Sequence, residues 1–160
     1  MTIEIAIEDS PLDAPDALAL IDRLNAELDA RYPEPGANFF RLDRDEVGPG
    51  RGAFVVARTG GIAVACGGVR LLDGVTPLTA EVKRMFVAPA ARGRGVAARV
   101  LEALKERARS LGARRLVLET GARQPEALAL YARAGFERIE PFGEYVGSPH
   151  SVCMAVDLAP

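Results

Sequence analysis

The 160-residue chain has no tryptophan, one histidine (His150) and two cysteines (Cys66 and Cys153). The cysteines carry no metal-ligand spacing, so no metal centre is expected, and reduced thiols of a cytoplasmic protein are the natural reading. Cys153 sits inside the apolar run 151–156 and reads as a buried, inert thiol. Aromatic residues make up only 6% and do not interleave with the basic segment, which argues against a nucleic-acid partner. No apolar run approaches the roughly 18 residues that span a bilayer. The N-terminus, with Glu4 and Glu8, is too acidic for a targeting peptide. Neither charge sign dominates: the net charge of −2 excludes a general polyanion binder.

What is present is a chain 49% hydrophobic, enough for the core of one domain spanning 1–160. Its charge is unevenly placed. Residues 83–115 carry ten Lys/Arg against two acids, whereas residues 1–46 carry twelve acids against four arginines. A basic middle in a mildly acidic chain points to a local anionic ligand.

Ile3, Ile5 and Ile7 alternate with acids as a half-buried strand. Asp13 suits a helix N-cap before Pro15, and Ile21, Leu24 and Leu28 give that helix one apolar face to about Arg31. A Gly/Pro-punctuated stretch follows, with one short helical turn expected near residues 43–47. Residues 53–58 and 62–72 form a hairpin across Gly60 and Gly61. Gly67 and Gly68 inside its second strand mark a bulge or a close approach to the backbone. Strand 79–87, helix 94–111 and the apolar strand 115–120 make a parallel β-α-β unit. A helix opening at Pro125 and two last strands, 136–139 and 151–158, complete a single α/β (α+β) domain. Its sheet is mixed and mostly antiparallel, with six or seven strands and about four helices.

The focus is the segment between strand 79–87 and its following helix, which contains Arg92, Gly93, Arg94 and Gly95. A glycine loop opening a helix offers backbone N–H groups and the positive end of the helix dipole to a phosphate. It lacks the Gly-Lys-Ser/Thr ending of a P-loop. Gly93, Gly95 and Ala98 do match the dinucleotide fingerprint G-x-G-x-x-A, with Glu119 ending the next strand where a ribose-binding acid would lie. Against that, Ala88 to Arg92 intervene between strand and motif, and the preceding half is hairpin-like.

The series Val87-x-Pro89-x-x-Arg92-Gly-Arg-Gly95-Val-Ala97 resembles motif A of the GNAT acetyltransferase superfamily, Gln/Arg-x-x-Gly-x-Gly/Ala. Ala129-Leu-Tyr131-x-x-Ala-Gly135-Phe136 resembles its motif B, Leu-Tyr-x-x-x-Gly-Phe. The resemblance runs from about residue 3 to 158 and is closest to a bacterial, small-molecule-type branch. It implies acetyl-coenzyme A as co-substrate. The pyrophosphate would lie on Arg92, Gly93, Arg94, Gly95, Val96 and Ala97. The pantetheine arm would lie along Met85, Phe86 and Val87, in a splay between this strand and the next parallel one. Gln124 would replace an asparagine that many members carry. One backbone N–H, that of Val87, would polarise the thioester carbonyl.

The resemblance further implies Glu81 as general base for an attacking amine and Tyr131 as general acid for the departing thiolate. The bland reading of Glu81 is a salt bridge to Lys83 or Arg84; that of Tyr131 is a core tyrosine. The acceptor is expected to be a small-molecule amine or amino acid, bordered by Tyr32, Arg70, Phe142 and Tyr145, with Phe39, Phe40, Ser148 and His150 as further candidates. A homodimer is common in the family. The alternatives are a non-catalytic acyl-CoA-binding module and, further off, a NAD-binding Rossmann protein.

Overall fold

A computed structural model describes residues 4–35 and 42–159. Ile3, Phe39 and Phe40 lie outside the described residues. Among the described residues seven strands form one sheet: β1 (Ala6–Asp9), β2 (Gly52–Thr59), β3 (Ile62–Leu71), β4 (Thr79–Val87), β5 (Arg115–Gly121), β6 (Glu137–Ile139) and β7 (Ser151–Asp157). Their order is β1-β2-β3-β4-β5-β7-β6, and only β4 and β5 run parallel. The crossover between them is the helix α2 (Val96–Ser110); the others are α1 (Pro15–Arg31) and α3 (Pro125–Arg133). A doubly wound dinucleotide fold needs a parallel series, so this topology removes the Rossmann reading.

Alternation along the strands divides the core. Phe54, Val56, Cys66 and Phe86 face α1 through Leu20 and Leu24. Val55, Val69, Leu116 and Leu118 face α2 through Val100 and Leu104, with Tyr131 and Phe136 at the same side. Among the described residues no helix is long and apolar enough to cross a membrane.

Three details differ from the sequence reading. Among the described residues there are three α-helices, and the fourth is only a 3-10 turn at Arg44–Val47. Asp43 and Glu46 box its start, and Gly48 and Pro49 directly after it prevent elongation. Helix α1 starts at Pro15, which puts Ala14 at the cap position without a side-chain cap; Asp13, one residue earlier, pairs with Arg44 at 3.2 Å. Helix α2 begins at Val96 rather than 94, since Gly95 stands in the left-handed region at φ 79°.

Candidate active site

The parallel pairing of β4 with β5 runs from Thr79–Arg115 to Val82–Leu118 and stops, although β4 continues to Val87 and β5 to Gly121. The cause lies on the other edge of β4. Its register with β3 shifts between Cys66 and Gly68, and Arg84 sits at φ 56°. An extra residue in one strand bends it and sharpens its twist. Gly67 fits this close quarter: a Cβ there would meet Leu104 Cδ1 of α2 at 2.9 Å. Past the bulge, Ala88 N–H donates to Val64 C=O at 2.8 Å. Antiparallel alternation then makes Ala65 and Val87 a non-hydrogen-bonded pair, so the N–H and C=O of Val87 turn away from β3, into the fork.

Two cavities meet at this fork. The larger, about 710 Å³, extends over Phe86 and Val87 to the glycine loop and the start of α2. The smaller, about 130 Å³, lies between α1, β4, β5 and the 3-10 turn at Gly143–Tyr145. Leu24, Met85, Gln124, Ala127 and Tyr131 border both.

Gly93, Gly95, Val96, Ala97 and Ala98 line the larger cavity. The first intrahelical bond of α2 is Arg99 N–H to Gly95 C=O, so the N–H groups of Val96 to Ala98 have no partner within the helix. A Cβ at Gly93 or Gly95 would meet nothing within 4 Å, so the cradle stands open. Its size, its open backbone and its dipole fit a pyrophosphate and its nucleotide. Arg92 lines it with a committed side chain: Nε donates to Val87 C=O at 2.9 Å and one terminal nitrogen reaches both Glu27 oxygens at 3.0 Å. Arg94 is not part of that wall.

Tyr131 is buried, and its hydroxyl lies 3.6 Å from Met85 Sδ. Burial, and secondly the charge of Glu119, raise its pKa, so the phenol keeps its proton at neutral pH. Gln124 spends its side-chain oxygen on Gly121 N–H at 2.9 Å, which leaves only its amide N–H₂ for an arm in the cleft.

Glu81 is fully buried and lines neither cavity. Its ion-pair partner is neither Lys83 nor Arg84, as the sequence suggested, but Arg70, directly opposite on β3. Arg70 approaches Glu81 Oε1 at 2.9 and 2.8 Å and pairs with Glu46 as well. The Tyr145 hydroxyl donates to Glu81 Oε2 at 2.6 Å and accepts from Lys83 Nζ at 3.1 Å.

Of the four substrate candidates, Tyr32 and Tyr145 border the smaller cavity, together with Ser148 and His150. Arg70 does not, being held by Glu46 and Glu81 with Glu144 further off at 3.7 Å, and Phe142 stands edge-on to Tyr145 at 5.2 Å. Tyr32 is also a latch: its hydroxyl accepts from Arg123 N–H at 2.8 Å, and a Cβ at Gly121 would overlap it.

Sequence reasoning missed Glu119, Lys83 and Ser151 as members of this site. Glu119 lines the smaller cavity one residue past the last β4–β5 pair, and Ser151 donates to its Oε2 at 2.6 Å. Burial raises the pKa of Glu119 and outweighs the hydrogen bond from Ser151 and the nearby charge of Lys83. The available signal was an acid closing the apolar run of a strand parallel to the one bearing the glycine loop.

The sequence and the fold have known counterparts. A profile described as the acetyltransferase (GNAT) family matches residues 18–136. The IAA acetyltransferase of Azospirillum brasilense is 38% identical over 157 residues, covering 98% of either chain. The N-alpha-acetyltransferase RimI of Mycobacterium tuberculosis is 36% identical, covering 71% of either chain. A Klebsiella pneumoniae structure assigned as an acyl-CoA N-acyltransferase superposes with a TM-score of 0.83 at 30% identity, covering 97% of this chain and 98% of that one. The chain belongs to the GNAT family of acetyltransferases and is an acyltransferase.

Proposed function

We propose that this protein transfers acetyl from acetyl-coenzyme A to the primary amine of a small molecule, by direct attack with both substrates bound. The observation that carries the reading is the meeting of two cavities at Met85 and Tyr131, one with a phosphate cradle and one with a raised-pKa carboxylate. Coenzyme on the cradle would present an acetyl thioester at the fork, where the N–H of Val87 is turned to donate to its carbonyl oxygen.

The acceptor arrives as an ammonium and cannot attack until it loses a proton. We assign that step to Glu119 rather than to Glu81. Glu119 borders the acceptor cavity, and burial makes it a better base than a free carboxylate. Glu81 has both oxygens engaged behind the wall. Its role is positioning: it fixes Tyr145, which in turn holds Lys83. The amine nitrogen bonds to the acetyl carbon and the C–S bond breaks. Tyr131 gives its proton to the thiolate and regains one through solvent as the nitrogen sheds its second. The proton left on Glu119 is the one released overall.

The test is thiol release from acetyl-CoA against a panel of small amines, with the acetylated products identified by mass. Acceptor-dependent release, lost in Glu119→Gln with coenzyme binding retained, is the expected result. Full turnover in Glu119→Gln would return the base to Glu81 or to water.

A further inference from the structure

Val82 and Leu118 are the last register partners of β4 and β5, so Lys83 and Glu119 are the first residues past the fork. In-register positions on parallel strands share a sheet face, and both residues border the smaller cavity. They carry opposite charges, yet no ion pair joins them; the divergence of the strands holds them apart.

Lys83 is short of partners for so buried a cation. Its side chain is 5% exposed. Its one hydrogen bond goes to the neutral Tyr145 hydroxyl at 3.1 Å, and its ion pair with the exposed Glu144, at 3.7 Å, is too long for a hydrogen bond and leaves two of its donors unused. Glu81, just behind, is taken by Arg70 and Tyr145. An ammonium has three donors, and a buried one needs a charged or multiple polar partner. Across the gap, Glu119 has Oε2 on Ser151 and Oε1 without a bond. The fork thus presents a cation and an anion with a space between them, inside a cavity small beside the coenzyme's.

We propose that the acceptor is a small zwitterion of the amino-acid class, its carboxylate seated on Lys83 and its amine on Glu119. This rests on the acetyl-transfer reading above and narrows it. A carboxylate there satisfies the remaining donors of Lys83 and orients the amine toward Glu119. A peptide N-terminus, with an amide where the carboxylate would be, leaves Lys83 short and is a poor acceptor.

The experiment compares free α- and ω-amino acids with their carboxamides and with a short peptide, measuring thiol release from acetyl-CoA by the full chain. The amide amine is the weaker base, so protonation alone would favour the amides. The expected result is a preference for free acids of about tenfold or more in kcat/KM. Lys83→Met should abolish that preference by raising KM for the acids only, and Lys83→Arg should restore part of it; the change that loss of this charge makes at Glu119 falls on acids and amides alike and cancels from their ratio. Amides or peptide accepted as well as the acids, or a preference for acids that persists undiminished in Lys83→Met, would overturn the proposal while leaving acetyl transfer intact. Absence of release with every amine would instead sink the acetyl-transfer reading itself. A non-turnover arm covers that outcome. Free amino acids should raise the thermal midpoint of the coenzyme A complex more than their amides do, and lose that advantage in Lys83→Met; equal shifts for acid and amide would count against the carboxylate seat.

Discussion

Ser151 Oγ donates to Glu119 Oε2 at 2.6 Å and lies 2.7 Å from Ser148 Oγ. A hydroxyl has one hydrogen. With Glu119 ionised, Ser151 points its hydrogen at the carboxylate and accepts from Ser148; with Glu119 protonated, the pair can reverse. The hydroxyl pair therefore serves both states of the proposed base, while its donation favours the ionised one.

Ser151→Ala removes that donor and leaves burial unopposed at this oxygen, so the pKa of Glu119 rises further. A base works only when ionised. The acid limb of the kcat/KM profile should move to higher pH by about one unit, since a hydrogen bond to a charged group contributes roughly 1.5 kcal/mol or more. Lys83, Glu81 and Glu144 also act on Glu119 and stay in place, Lys83 lowering its pKa and the two acids raising it. Ser151→Thr should restore the profile. An unmoved acid limb in Ser151→Ala would show that the titrating group is elsewhere.

Glu119→Gln should separate function from stability with opposite signs. The folded-state pKa of Glu119 lies above its unfolded value, so the folded form binds more protons. Stability associated with this group is present below the unfolded pKa and is lost as pH rises through the folded one. The neutral amide avoids that loss. Thermal melts should show Glu119→Gln more stable than wild type above neutral pH, with the difference shrinking as pH falls toward 4, while turnover drops roughly 10²-fold or more.

Glu81→Gln should behave in the contrary way. It leaves Arg70 facing an amide in a buried site and weakens the acceptor of Tyr145. Removing one partner of a buried pair costs about 3 kcal/mol. Chemical denaturation should show that loss, and kcat/KM should fall through substrate positioning, with the acid limb of the pH profile retained and moved to lower pH because the charge of Glu81 no longer raises the pKa of Glu119. A lost acid limb would make Glu81 the base after all.

The contrast between these two glutamates shows what the sequence could and could not reveal. The glycine loop, Tyr131 and the β4-α2-β5 unit were legible because local chemistry dictates them: a left-handed glycine before a helix, an apolar helix face, and β-branched strand residues. Which acid borders the smaller cavity was not legible. That depends on where β4 leaves β5, and the fork is set by a bulge against β3, a pairing between segments distant in sequence. Arg70 shows the same limit. From the sequence alone it reads as a residue bordering the acceptor, and only the β3–β4 register places Glu81 opposite it. Lys83 read as a salt-bridge partner, and its short supply of partners is visible only once Glu81 is committed to Arg70.

Tyr131→Phe removes one hydroxyl whose contact is a thioether at 3.6 Å, so folding should barely change. If the phenol protonates the leaving thiolate, kcat should fall roughly 10²-fold with little change in acetyl-CoA affinity. Single-turnover kinetics with saturating acceptor, set beside coenzyme titration by calorimetry, separate the two effects. Equal loss in affinity and rate would make Tyr131 a wall residue only.

Gly95→Ala tests the cradle itself. The position has φ 79°, so any side chain incurs about 1 kcal/mol or more of backbone strain, while a Cβ would meet nothing within 4 Å in the protein. The stability loss should therefore stay near that strain alone. The added methyl would stand in the open cavity that Gly95 lines together with Val96, Ala97 and Ala98, where the pyrophosphate is proposed to sit. Coenzyme A affinity should fall by tenfold or more, with dephosphorylated, pyrophosphate-free pantetheine substrates unaffected, because they never reach the cradle. Equal losses for coenzyme A and for acetyl-pantetheine would mean that the substitution acts through the fold of α2 and not through a phosphate seat.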